Sequence, residues 1–183
     1  MRLSLSSKNY RQDITKLLDV VEGRALFHSK NSAPTPLNRI AQERSINVRF
    51  MPLPVPGCLC TASEGFDIFV QTNVKDAQSF LEKFLSGKDN ELPVRQRFTI
   101  AHEIAHTYFY DLSKRPPYMQ FPPNTDKELR RMEQACDAVA NRMLLPRFRG
   151  PSFLRKLSWS VPIWIRGSPA RELKTMARVS PVC

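Results

Sequence analysis

The chain is expected to fold as one α+β domain, because helical periodicity flanks a middle stretch with strand texture. Its 183 residues supply one core rather than two. Composition agrees: 42% hydrophobic and 25% charged residues are ordinary proportions for a globular protein. The organisation predicted is an N-terminal helical segment over 1–34, a core over 35–146 and a basic C-terminal segment over 147–183.

Residues 8–28 place Ile14, Leu17, Leu18, Val21 and Ala25 at three- and four-residue steps, as an amphipathic helix does. Thr35-Pro36 then offers a helix cap with proline in the first turn, and Leu37, Ile40 and Ala41 follow on one face. From Asn47 to Asn73 the texture changes. Val48-Arg-Phe-Met and Phe66-Asp-Ile-Phe-Val have strand character, and prolines 52, 54 and 56 with Gly57 and Gly65 break the runs. Alternating prolines mark an edge or an irregular connection. Cys58 and Cys60 are expected on opposite faces of a strand.

Residues 74–86 are helical again through Val74, Ala77, Phe80, Leu81 and Phe84. A further helix starts near Pro93 and carries Val94, Phe98, Ala101, Ala105, Tyr108 and Leu112 along one stripe. The last begins at Thr125-Asp-Lys-Glu128, a capping-box pattern, and Pro146 ends it. Its apolar positions are Leu129, Met132, Cys136, Val139 and Met143. Between these two helices, Asp111 to Asn124 holds four prolines with Tyr118 and Phe121.

No run of 18 apolar residues is present, so no membrane-spanning segment is predicted. The start turns polar at Ser6 before an apolar stretch of signal-peptide length can form, and a cytoplasmic location is expected. Four cysteines make no disulfide framework. Cys58 and Cys60 lack a second nearby pair to complete a four-ligand metal site. The net charge is +11, and residues 147–183 hold eight Lys or Arg against Glu172 alone, so +7 of it lies there. Such a stretch suits contact with nucleic acid or another anionic surface; its bland reading is a solvated tail.

The chemistry concentrates in Ala101-His102-Glu103-Ile104-Ala105-His106. Histidines four apart lie one turn above each other on a helix, so both rings can reach one ion. Glu103 projects about 100° round the helix, where it can reach a water on the metal rather than the metal itself. With three histidines and nine glutamates in the chain, chance placement gives this pattern roughly 0.2% of the time. His28 has no such partner pattern and reads as a surface residue near a helix end.

A catalytic zinc takes three protein ligands and keeps one open position. With no further histidine nearby, the third ligand should be a carboxylate. Glu133 and Asp137 stand four apart on the last helix, which suits a ligand and an acceptor for the free ring N–H of a ligating histidine. Asp126 and Glu128 are rival ligands, although the helix dipole alone explains acids in a capping turn. Asp111 is less suited, since it follows the motif helix at its C-terminal end.

These residues resemble the ImmA/IrrE-type metallopeptidases. The matching stretches are Arg97-Phe-Thr-Ile-Ala-His-Glu-Ile-Ala-His106 and Glu133-Gln-Ala-Cys-Asp-Ala-Val-Ala-Asn-Arg-Met-Leu-Leu-Pro146. The second is similar to the family's E-x-x-A-[ND]-x-F-A-x-x-L-L-x-P run, with Cys136 in place of alanine and Val139 in place of phenylalanine. The resemblance covers about residues 35–146. It implies a minimal thermolysin-like, gluzincin-type metallopeptidase fold, with a small sheet packed on the motif helix and the sheet edge near Gly65-Phe-Asp-Ile-Phe-Val. It implies zinc held by His102, His106 and Glu133, with Glu103 as general base. The implied substrate is a helix-turn-helix transcriptional repressor. Many relatives carry their own helix-turn-helix domain, and none is seen here. Relatives also continue past a C-terminal helix of the type at 172–180, whereas this chain stops at Cys183, as a naturally short protein or a truncated product would.

The expected chemistry is hydrolysis of a peptide bond by metal-activated water, with Glu103 taking the proton. Tyr108, Tyr110 and Tyr118 are open candidates for an oxyanion donor, and an exposed strand edge near Phe66–Thr72 is a candidate for binding substrate by strand addition. Two histidines and a carboxylate also accept manganese. The rival readings are a catalytically silent basic module that docks on nucleic acid or a repressor, and a regulator that sequesters a repressor uncut.

Overall fold

Buried and exposed residues alternate without a break from Ile46 to Met51, the signature of a strand with one face on a core. This strand, β1 (Ile46–Met51), belongs to a three-stranded sheet with β2 (Gly57–Ala62) and β3 (Gly65–Gln71) in the order β1-β3-β2. The computed structural model describes residues 10–29, 35–119 and 122–145. The expectations placed on 147–183 therefore lie outside the described residues.

The rest of the chain order is α1 (Tyr10–Ser29) and α2 (Leu37–Glu43) before the sheet. After it come α3 (Val74–Leu85), α4 (Val94–His106), the two-residue strands β4 (Tyr110–Asp111) and β5 (Tyr118–Met119), and α5 (Asp126–Leu144). This is an α+β fold. Among the described residues no helix is long and apolar enough to cross a membrane.

Strand β3 pairs parallel with β1 and antiparallel with β2. In register, Ile46 meets Phe66, Val48 meets Ile68 and Phe50 meets Val70, and all six are buried. That face is covered by α4 against β2 and β3, and by α3 against β1, where Phe50 and Phe80 meet edge to face at 5.7 Å. α4 in turn packs most extensively on α5, and α1 packs on α5 through a side that buries Leu17, Val21 and Ala25. Gly65 opens β3 where a Cβ would collide with the backbone carbonyl of Ser45, which accepts the Phe66 amide at 3.0 Å.

Several expectations are corrected by tertiary contacts. The sheet edge expected at Phe66–Thr72 is instead the centre, because β3 has a partner on both sides. The edge lying against α4 is β2. The prolines at 52, 54 and 56 sit in the connection that lets the chain cross from β1 to the far side of β3, where their missing N–H groups forfeit no ladder bond. Cys58 and Cys60 share one face of β2, as residues two apart in a strand must; both are half-buried.

The cap assigned to Thr35 is not made. Pro36 is the N-cap of α2, and the Leu37 amide is bound at 3.1 Å by the carboxylate of Asp89, 52 residues away. Arg97 closes the same cluster, donating to the Thr35 carbonyl at 3.1 Å with Asp89 at 3.8 Å. The capping box of α5 is half realised: Thr125 Oγ1 accepts from the Glu128 amide at 3.2 Å, but the Glu128 carboxylate accepts from Asn124 rather than Thr125. The helix expected to run on to Leu112 stops at His106, followed by a 3₁₀ turn over Thr107–Phe109 and the β4–β5 ladder. His28 is in the last turn of α1 as expected, but its side chain is largely buried and Nε2 lies 2.9 Å from Glu43 Oε1.

Candidate metal centre

α4 begins after Pro93, whose fixed φ suits the position before a first helical turn. It buries Ile100, Ala101, Ile104 and Ala105, which leaves His102 and His106 together on an adjoining side. α5 buries Met132, Ala135, Cys136, Val139, Ala140 and Met143, with Glu133 and Asp137 half-buried one turn apart. Packing the two helices against each other closes the site.

His102 Nε2 lies 3.2 Å from Glu133 Oε2 and 3.1 Å from His106 Nε2, and His106 Nε2 lies 3.7 Å from Glu133 Oε1. On the other side of its ring, His102 Nδ1 is 2.9 Å from Asp137 Oδ1. One ligand atom from each of His102, His106 and Glu133 falls within 4.8 Å of the others, so the cluster can hold a metal ion. The spacing fits a small tetrahedral cation: donors about 2.0–2.1 Å from such an ion stand roughly 3.3 Å apart. Asp137 supplies what such a site needs next. By accepting from Nδ1 it leaves the Nε2 lone pair of His102 for the ion.

The rivals are elsewhere. Asp126 is exposed at the start of α5, and Glu128 is used in its cap. Asp111 accepts from the amide and hydroxyl of Ser113 at 2.9 and 2.7 Å. Of the tyrosines, Tyr108 lies under the Arg44 guanidinium at 3.8 Å, Tyr110 stacks edge-on against Phe66, and Tyr118 is exposed in β5.

Glu103 occupies a different side of α4. It is 8% exposed, and its carboxylate approaches the backbone of β2 at Gly57, where an added Cβ would come 3.3 Å from Oε1 and 2.5 Å from Thr99 Cγ2. Gly57 is thus required by close approach, and only the glycine after a proline run hinted at it. Burial pushes the Glu103 carboxyl up to about 7, helped by the nearby Glu133 charge and opposed by that of His102. Burial alone would lower His102, but its hydrogen bonds to Asp137 and Glu133 and the charges of Glu103 and Glu133 outweigh this and hold it at about 10. His106 goes the other way, lowered to about 4 by burial and the His102 charge against the pull of Glu133 and Asp137. These opposite shifts favour the proton on His102 over His106 in the metal-free site.

Two expectations follow for metal binding. Since His102 must lose its Nε2 proton to become a ligand, zinc binding at pH 7 should release about one proton, and affinity should fall about tenfold per unit as pH drops. Calorimetry in buffers of different ionisation enthalpy measures this; release of no proton would place His102 neutral before binding. Asp137→Asn should weaken zinc binding by about 10–100-fold, because the amide cannot hold the Nδ1 proton as a carboxylate does. Competition with a chelating dye reads the change, and an unaltered affinity would strip Asp137 of that role.

Compared with protein-family models, with curated proteins and with solved structures, the chain matches none. The site is of a definite class: two histidines from one helix and a carboxylate from the next, beside a separate buried carboxylate.

Proposed function

We propose that the chain is a zinc-dependent endopeptidase with the minimal thermolysin-like plan of the ImmA/IrrE enzymes, acting on a helix-turn-helix repressor. The observation that carries the reading is the convergence of His102, His106 and Glu133 from two helices, with Glu103 held apart from them in a buried slot. Two nitrogens and one oxygen at this spacing favour zinc over ions that demand six oxygens. The two stretches that resemble the family, 97–106 and 133–146, supply these four residues.

His102, His106 and Glu133 would hold the zinc ion, which would supply Lewis acidity and lower the pKa of a bound water from ~15.7 towards ~7. Glu103 takes a proton at its carboxylate, whose affinity for it is raised by burial, and returns it to the leaving amine. Asp137 keeps the His102 ring in one orientation and tautomer. Among the described residues β2 pairs only with β3, so its other edge can take an extended substrate strand, beginning at Gly57 beside Glu103.

The test is elemental analysis of the purified chain followed by incubation with candidate repressors. About one zinc per chain and discrete repressor fragments are expected. Zinc without fragments would favour a regulator that binds a repressor uncut, and DNA binding that survives Glu103→Gln would favour the basic docking module.

A further inference from the structure

α4 ends at the candidate metal centre, where a buried arginine from the end of α2 meets its last turn. Arg44 follows α2 and is 7% exposed. Its Nε donates to Thr107 Oγ1 at 2.6 Å, its Nη2 donates to the Thr107 carbonyl at 2.8 Å, and its Cζ lies 3.8 Å from the centre of the Tyr108 ring. Thr107, fully buried, passes the contact on by donating its hydroxyl to the Ile104 carbonyl at 2.6 Å. Arg44 therefore holds the backbone directly after His106 and, through the Thr107 hydroxyl, reaches the carbonyl of Ile104 before it. No carboxylate is in ion-pair range of its guanidinium among the described residues, so at contact distance this buried charge is met by those neutral groups, with the Glu43 charge acting from farther off.

The grip is fixed from behind. The Arg44 amide donates to the Ala41 carbonyl at 3.1 Å, and its neighbour Ser45 accepts from Phe66 on the central strand at 3.0 Å. The guanidinium is thus anchored to α2 and the sheet, while its hydrogen bonds end on the residue that follows a histidine of the cluster.

We propose that Arg44 is a positioning residue for the metal centre: it stops α4 at His106 and sets the direction in which that ring faces His102 and Glu133. This rests on the reading of the cluster as a metal site, but the position of the ring can be measured without metal. A lysine cannot replace Arg44, because one ammonium cannot make the paired bonds to Thr107 and also lie flat on Tyr108.

The experiment uses the full chain as wild type, Arg44→Lys, Thr107→Val and, as a control, Arg142→Met. Arg142 is a partly buried arginine paired with Glu22 at 2.9 Å on the α1 side of α5. Zinc affinity is measured by chelator competition, the cobalt-substituted absorption spectrum is recorded, and histidine ring resonances are followed by NMR in metal-free protein. Arg44→Lys should lose about 10–100-fold in zinc affinity and change the cobalt bands, as a support of a ligand does. It should move the His106 ring signals more than those of His28. Thr107→Val, with near-identical shape, should shift all three readouts in the same direction by less. Arg142→Met should lower thermal stability without altering affinity per folded molecule. If Arg44→Lys and Thr107→Val fold yet keep wild-type affinity and His106 resonances, Arg44 is only a packing residue and the proposal falls. Should Arg44→Lys not fold, Thr107→Val decides by the same criteria. A wild type that takes up no zinc overturns the metal reading, and the metal-free His106 signals still decide for or against Arg44.

Discussion

Glu103→Gln is expected to lower peptide cleavage by about 10²–10⁴-fold while leaving zinc bound. The substitution keeps the shape of the side chain in its slot against Gly57 and Thr99, and Glu103 does not belong to the cluster of His102, His106 and Glu133. What it removes is the ability of the side chain to take and return a proton. The variant also carries a stability signature. In the metal-free fold the Glu103 carboxyl is raised from an ordinary value near 4.5 to about 7, so the folded chain holds this proton in a window where the unfolded chain has lost it. Wild-type stability therefore has a component present below pH 4.5 and lost as pH rises towards 7, which the glutamine variant lacks. Parallel cleavage, zinc and denaturation measurements would show all of this. Full cleavage by the variant would remove Glu103 from the role of base, and a loss of zinc would mean that its position is coupled to the ligands.

The second large effect is on the metal itself. Glu133→Ala should weaken zinc binding by more than ~100-fold, since loss of a partner behind a ligand already costs 10–100-fold and this change removes a donor atom. Glu133 is well placed to show it. Its carboxylate is desolvated by burial, yet the hydrogen bond from His102, and the attraction of both histidine rings in the acid range where they are protonated, hold its pKa below the usual range, so it is an anion facing the site. Elemental analysis and chelator competition give the result. Zinc retained at wild-type affinity would mean that Asp137 or a residue beyond those described completes the ligand set.

The ligand face was legible because its geometry is local. His102 and His106 lie on one face of any α-helix, whatever the helix packs on, and Glu133 and Asp137 obey the same rule. The same locality made α3, the start of α5 and the alternation in β1 and β3 readable, since apolar period and capping residues are properties of short windows. The fold class followed from the order of those windows.

What the windows could not carry is partner choice. Nothing in Phe66–Val70 tells a central strand from an edge, because that depends on where a proline-rich connection sends β2. Nor does Thr35-Pro36 reveal that an aspartate at 89 takes the cap of α2, or the stripe through Tyr108 and Leu112 that the helix halts at His106. Those outcomes are decided by Asp89 and Arg44, groups 52 and 63 residues distant from the atoms they bind. The sequence by itself determined which side chains share a helix face; only the tertiary structure decided that α4 and α5 face each other with Glu133 opposite the histidines, and that β2 lies over Glu103. The physical reason is that periodicity encodes the burial of one side of an element, whereas the identity of what covers it is set by the whole core packing at once.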